Sequence, residues 1–161
     1  MRSLQERGTV PPLAGGRRRL PALGVTTLAV LVADQVTKSL ALANLAGSPV
    51  HLAGPVYLHL ELNSGVAFSL GRGHTPIVIA VVVVLVVAIA GAALRAERTV
   101  SIVALGLVLG GALGNLGDRL FRHEGGAVVD FVYTTFWPTF NVADACIVVG
   151  CVLLVVSFLR R

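Results

Sequence analysis

Four long apolar segments divide the chain, and short polar stretches separate them. They cover about residues 20–43, 76–94, 100–117 and 139–159. Each is close to the roughly 20 residues that carry a helix across the hydrocarbon core of a bilayer. The first run is also longer than the apolar core of about 7–15 residues in a cleaved signal peptide. The pattern therefore predicts an all-α membrane protein, a bundle of four transmembrane helices.

A different period appears in the stretch between the first two spans. Apolar and polar residues alternate there in the run Val56-Tyr57-Leu58-His59-Leu60-Glu61-Leu62-Asn63. A period of two is typical of a strand with one apolar face. We therefore expect a small sheet outside the bundle, lying on the membrane surface.

Composition supports a membrane location and a single folded unit. Of the 161 residues, 55% are hydrophobic and only 13% are charged, whereas about a quarter of the residues in a soluble domain are charged. The net charge is +5, but the aromatic and basic surface pattern of a nucleic-acid binder is missing, so we expect no nucleic-acid partner. Residues 20–161 form one predicted membrane domain, and residues 1–19 form a basic tail that we expect to be disordered.

The arginines indicate how the bundle is oriented. They gather before the first span, between the second and third spans, and after the fourth, at Arg2, Arg7, Arg17, Arg18, Arg19, Arg95, Arg98, Arg160 and Arg161. The positive-inside rule therefore predicts that both termini are cytoplasmic. The connections at about residues 44–75 and 118–138 then face outward, so that the expected sheet is extracytoplasmic.

Glycines recur at intervals of four in the third span. Gly106, Gly110 and Gly114 form two overlapping G-x-x-x-G patterns, and Gly111 lies beside them. Small residues at this spacing allow a second helix to approach closely. We interpret these glycines as packing positions.

Ionisable side chains inside a membrane span are costly, which makes each of them a functional candidate. Asp34 and Lys38 lie four residues apart in the first span and can form an ion pair that is either structural or catalytic. At about 1.5 Å per residue, Asp34 and Asn115 lie about 21 and 22 Å from the inner ends of their spans, and Asp144 lies about 8 Å below the outer end of the fourth. Three further polar residues, Asp118, Arg119 and Asn141, lie close to these positions. The depths predict one polar site in the outer part of the bilayer.

Carboxylates are the only catalytic groups that gather at this level. The four histidines fall in the connections between spans without the spacing of metal ligands, so we expect no metal. Asp130, within the apolar run 128–132, and Asp144 are the acids best placed to meet. Two carboxylates in a pocket of low dielectric share a proton, so one can act as general base and the other as general acid. The same acids could form a proton relay in a transporter, and a non-catalytic assembly protein is a third possibility.

Five motifs, in order along the chain, resemble the signature blocks of lipoprotein signal peptidase, also called signal peptidase II. They are Asp34-Gln35-Val36-Thr37-Lys38, Asn63-Ser64-Gly65-Val66-Ala67-Phe68, the run from Gly110 to Arg119, Val128-Val129-Asp130-Phe131 and Phe140-Asn141-Val142-Ala143-Asp144. The resemblance implies an aspartic peptidase of the bacterial cytoplasmic membrane. Such an enzyme removes the signal peptide from prolipoproteins, cutting just before a cysteine that carries a diacylglyceryl group.

The resemblance also implies a role for each polar residue. Asp130 and Asp144 match the catalytic dyad. Four residues match the polar lining of the substrate groove: Asn63, Asn115, Arg119 and Asn141. Asp34 and Lys38 match a supporting block. We expect that the enzyme needs no cofactor, acts as a monomer, contacts membrane lipids and is inhibited by globomycin-type cyclic peptides. We also expect its active site to lie near the outer face of the membrane.

Overall fold

The computed structural model describes residues 19–65, 75–96 and 98–160. This part of the chain contains four long helices: α1 (Arg19–Asn44), α2 (Thr75–Arg95), α3 (Thr99–Phe121) and α4 (Val142–Leu159). Each is long and apolar enough to cross a membrane. The predicted four-helix architecture is confirmed. Most of the predicted N-terminal tail, residues 1–18, lies outside the described residues.

Helix α3 is the centre of the bundle, because it packs against each of the other three helices. Its glycines make this possible. A Cβ atom on Gly110 would lie 2.7 Å from the Val30 Cβ of α1, and one on Gly111 would lie 2.5 Å from the Ala143 carbonyl oxygen of α4. Neither position has room for a side chain, which supports the interpretation of these glycines as packing positions.

A four-stranded antiparallel sheet joins the bundle, which confirms the small sheet expected from the sequence, although the sequence located only one of its strands. Its strands are β1 (Val50–Ala53), β2 (Val56–Asn63), β3 (Val128–Thr134) and β4 (Trp137–Phe140), in that spatial order. The alternating run predicted β2 correctly. Strands β3 and β4 lie where the sequence suggested a loop and the start of the fourth span.

The predicted start of the fourth span, at about residue 139, was therefore wrong, because the helix begins later in the chain. Thr139 and Phe140 belong to β4, and α4 begins at Val142. Asn141 sets this boundary because its extended backbone precedes the helix and its side chain accepts the Asp144 amide, while the Asp144 side chain accepts the Asn141 amide. This reciprocal capping box fixes the first turn of α4.

The sheet covers one end of the bundle. Phe131 and Val129 of β3 and Ala41 of α1 form a buried apolar cluster, against which Leu58 and Leu60 of β2 pack. Since the strands lie in the α1–α2 and α3–α4 connections, the sheet is at one end of the bundle. The α2–α3 turn, the start of α1 and the end of α4 are at the other end. Strand β3 contacts α1 and α3 at the sheet end.

Candidate active site

Asp130 lies on β3, directly opposite Glu61 of β2, and only 2% of it is exposed. Both of its carboxylate oxygens accept a hydrogen bond from an amide side chain. Asn141 Nδ2 donates to Oδ1 over 2.6 Å, and Asn63 Nδ2 donates to Oδ2 over 3.1 Å. The carboxyl group is therefore fixed in position by residues from β2 and from the start of α4.

Asp144 lies in the first turn of α4 and is half-buried. Its Oδ1 accepts Asn115 Nδ2 over 2.9 Å, and its Oδ2 accepts the Asn141 amide over 3.3 Å. Both carboxylate oxygens thus accept a hydrogen bond, and the positive end of the α4 dipole faces the carboxylate.

Asn141 and Asn115 connect the two acids. Asn141 is completely buried, caps α4, and touches Asp130 with the same side chain. The Asn115 oxygen accepts Asn141 Nδ2 over 3.1 Å and Lys38 Nζ over 2.8 Å, while its nitrogen donates to Asp144. A continuous hydrogen-bond network therefore runs from one acid to the other. The structure brings together the two residues that the sequence singled out as a pair.

Lys38 lies at the centre of a buried ion network below this pair. Its Nζ is 2.8 Å from Asp34 Oδ2 and 3.0 Å from Asp118 Oδ2, and none of the three side chains is exposed. The expected i, i+4 pair of Asp34 and Lys38 is thus present, together with a second acid. Gly114 allows this arrangement, because a Cβ atom there would lie 2.4 Å from Asp34 Oδ2.

Arg119 holds the turn that carries Asn63. Its guanidinium donates to the Asn115 carbonyl oxygen over 3.2 Å and to the Gly65 carbonyl oxygen. The Gly65 amide in turn donates to Asn63 Oδ1 over 2.9 Å, which directs the Asn63 amide nitrogen toward Asp130. All eight residues proposed from the sequence are therefore connected around one site.

The environment of Asp130 changes its acidity. Burial, and secondarily the negative charge of Asp144, raise the pKa of Asp130 from 3.8 to about 7, although hydrogen bonds from Asn63 and Asn141 oppose the shift. Two neighbouring carboxyl groups that titrate apart can divide the roles of acid and base.

Within the described ranges, no three His, Cys, Asp or Glu side chains group closely enough to hold a metal ion.

Three residues of the site were not assigned from the sequence: Asp118, Gln35 and Arg122. Arg122 Nε and Gln35 Nε2 donate to Asp118 Oδ1 over 2.8 and 3.1 Å, and Arg122 also donates to Gln35 Oε1. The i, i+4 spacing of Asp118 and Arg122 was a usable signal. Gln35 lies inside the first of the five motifs, but its contacts with α3 could not be predicted because they depend on how α1 packs.

Comparisons with known proteins show the family of this chain. The family model described as signal peptidase (SPase) II matches residues 26–160. A lipoprotein signal peptidase of Rhodococcus jostii (strain RHA1) is 47% identical over 158 residues, covering 92% of this chain and 78% of that protein. One of Mycobacterium avium (strain 104) is 43% identical over 154 residues, covering 92% and 85%.

Solved structures show the same fold. A bacterial membrane enzyme structure obtained by the in meso method at 2.3 Å resolution superimposes with a TM-score of 0.80 at 24% identity, covering 88% of this chain and 89% of that one. The fold is that of a multi-pass membrane protein. With a family match over most of its length, this chain belongs to the signal peptidase II family of aspartic peptidases.

Proposed function

We propose that this enzyme removes the signal peptide from prolipoproteins, cutting just before a cysteine that carries a diacylglyceryl group, with Asp130 and Asp144 as the catalytic dyad. The observation that carries the proposal is the hydrogen-bond chain that runs from Asp130 through Asn141 and Asn115 to Asp144 at the sheet end of the bundle. Its relatives are named lipoprotein signal peptidases. The supporting residues are Asn63, Arg119, Asp34 and Lys38.

The two acids divide the proton transfers. Asp144, which accepts hydrogen bonds from Asn115 and the Asn141 amide, acts as the general base and removes a proton from a water molecule, whose oxygen attacks the carbonyl carbon of the scissile bond. Asp130, whose pKa is raised to about 7, gives its proton to the carbonyl oxygen. When the tetrahedral intermediate collapses, the C–N bond breaks, the proton held by Asp144 passes to the leaving amine, and Asp130 recovers its own proton.

In this proposal the chemistry takes place at a membrane surface. In the proposed orientation the arginine-rich ends are cytoplasmic, so the sheet and the dyad are at the outer face. A lipid anchor on the substrate keeps the scissile bond at the same level, and the bilayer thereby contributes to its orientation. We further propose that the enzyme acts as a monomer, without a cofactor, in the bacterial cytoplasmic membrane, and that globomycin-type peptides block the dyad.

The test is cleavage by the purified protein of a synthetic prolipoprotein with and without the diacylglyceryl group, each in the presence of EDTA. We expect the lipid-modified substrate alone to be cut, next to the modified cysteine, at a rate that EDTA leaves unchanged. Equal cleavage of both substrates would refute the lipid requirement. An intact substrate together with pH-driven proton flux in proteoliposomes would favour the relay alternative.

The raised pKa of Asp130 predicts the pH dependence of cleavage. Below pH about 7 Asp130 holds its proton, and above it the general acid is lost. We therefore expect an alkaline limb in kcat/KM with an apparent pKa near 7, and a corresponding limb in kcat at the pKa that holds in the substrate complex. The folded state also binds more protons than the unfolded chain between pH 3.8 and about 7, so this group makes stability fall as the pH rises across that range. A rate that stayed constant from pH 6 to pH 9 would contradict the assignment.

A further inference from the structure

Two backbone amides, each immediately before a dyad residue, donate to buried carboxylates from other helices. The Ala143 amide, before Asp144, donates to Asp34 Oδ1 over 3.0 Å. The Val129 amide, before Asp130, donates to Asp118 Oδ2 over 3.1 Å. The two halves of the dyad are thus held in the same way, by one acid from α1 and one from α3.

Both amides lie where secondary-structure pairing is incomplete. Ala143 lies in the first turn of α4, where the N–H groups have no acceptor within the helix. Val129 pairs with Leu62 of β2, but on its other edge this part of β3 extends beyond the pairing with β4, which is at Val132 and Thr134. Asp34 and Asp118 therefore accept amides at the ends of the regular pairing, at the positions adjoining the proposed dyad.

Lys38 connects the two acids. Its ammonium group contacts Asp34 and Asp118 over 2.8 and 3.0 Å, and it donates to Asn115, which holds Asp144. All three charged side chains are fully buried, so they have been desolvated without a large net gain in stability. A buried ion network is better suited to fixing geometry than to strengthening the fold.

We propose that Asp34, Lys38 and Asp118 form a positioning clamp that sets the separation of the Asp130 and Asp144 carboxyl groups by holding the amides of Val129 and Ala143. The inference rests on the proposed function of the dyad, and it assigns Asp118 a role that the motif comparison did not give. The three residues touch neither the scissile bond nor the water. They act through the backbone of the residues next to the dyad.

The test compares Asp118→Asn with Asp118→Leu. Asn and Leu have a similar shape, and both substitutions remove the charge of Asp118. Only Asn keeps an oxygen that can accept a hydrogen bond from the Val129 amide. We expect Asp118→Leu to lower kcat about 10- to 100-fold, with KM changed less than about twofold, because a misplaced catalytic group costs rate rather than binding. Asp118→Asn should recover most of this loss.

The pH profile separates positioning from stability. If β3 moves away from α4 in Asp118→Leu, the charge of Asp144 acts less strongly on Asp130, and the alkaline limb of kcat shifts to lower pH. A purely structural role would lower the melting temperature and leave kcat per folded molecule, and the limb, unchanged. Ser101→Ala is the control, since it removes a hydrogen bond between α3 and Ser157 of α4 at the other end of the bundle. It should affect stability only.

A second pair makes the result independent of whether Asp118→Leu folds. Asp34→Leu and Asp34→Asn test the Ala143 amide in the same way. We again expect the Asn variant to have a higher kcat than the Leu variant. Equal kcat for the Leu and Asn variants at both positions would overturn the clamp. Asp144→Asn is measured alongside: if it cleaves normally, the dyad itself is wrong, whereas an inactive Asp144→Asn with fully active Leu variants removes only the clamp.

Discussion

Asp130→Asn and Asp144→Asn are each expected to lower kcat by at least about 1,000-fold while the protein still folds and inserts. Asn has the same shape as Asp, but it can neither remove a proton from water nor return one to the leaving amine. In Asp130→Asn the new NH2 group faces the amide nitrogen of Asn63 or Asn141, so one buried hydrogen bond is lost, and we expect a loss of stability of about 1–3 kcal/mol. The measurement is single-turnover cleavage of lipid-modified prolipoprotein in detergent micelles.

Glu61→Gln is the matched control for this prediction. Glu61 is directly opposite Asp130 on β2, but its carboxylate is exposed and accepts from the Thr139 hydroxyl instead of contacting the dyad. The Glu61→Gln variant removes an equal charge from the same region and should retain the wild-type kcat. Full activity in Asp130→Asn or Asp144→Asn would refute the assigned dyad, and an inactive Glu61→Gln would show that net charge near the sheet decides the rate.

Lys38→Met is expected to cause the largest loss of stability, about 3–5 kcal/mol, because it leaves buried carboxylates without their cation. Lys38 is fully buried between Asp34 and Asp118. Met fills a similar volume, so the loss reports charge rather than a cavity. Unfolding by denaturant in micelles, followed by tryptophan fluorescence or circular dichroism, measures it.

A double variant isolates the origin of that loss. In Lys38→Met combined with Asp34→Asn, the one remaining acid of the network is Asp118, which still has Arg122 as a partner at 2.8 Å. We therefore expect the double variant to be more stable than Lys38→Met alone, a non-additive result of the kind that coupled charges give. A double variant less stable than either single variant would mean that packing, not charge compensation, dominates at Lys38.

Local patterns predicted the helices and β2, because apolar length and a period of two are visible in a single segment. The sequence did not predict β3 and β4 as strands. The apolar run around Asp130 shows no alternation, and Thr139 and Phe140 continue smoothly into the apolar residues of α4. Only the pairing of β3 with β2, more than sixty residues away along the chain, shows that Asp130 lies on a strand.

The site residues show the same difference between local patterns and long-range contacts. Asp130 and Asp144 could be chosen from the sequence because acids in apolar surroundings are conspicuous, and the depth estimate placed Asp34 and Asn115 at a common level. The role of Asp118 depends on contacts with the Val129 amide and with Lys38, which come from other elements. A contact between side chain and backbone leaves no mark on the composition of either segment, so such partners appear only in the folded chain.

The double use of Asn141 has a consequence for the time at which activity appears. The residue caps α4 and holds Asp130 with one side chain, so Asp130 gains this contact only when the first turn of α4 is in place. If Asp130 and Asp144 are the proposed dyad, a chain still emerging from the ribosome with three helices inserted has β3 but no proteolytic centre. The protease would then be latent until α4 is made and inserted, and only then could it cut neighbouring chains.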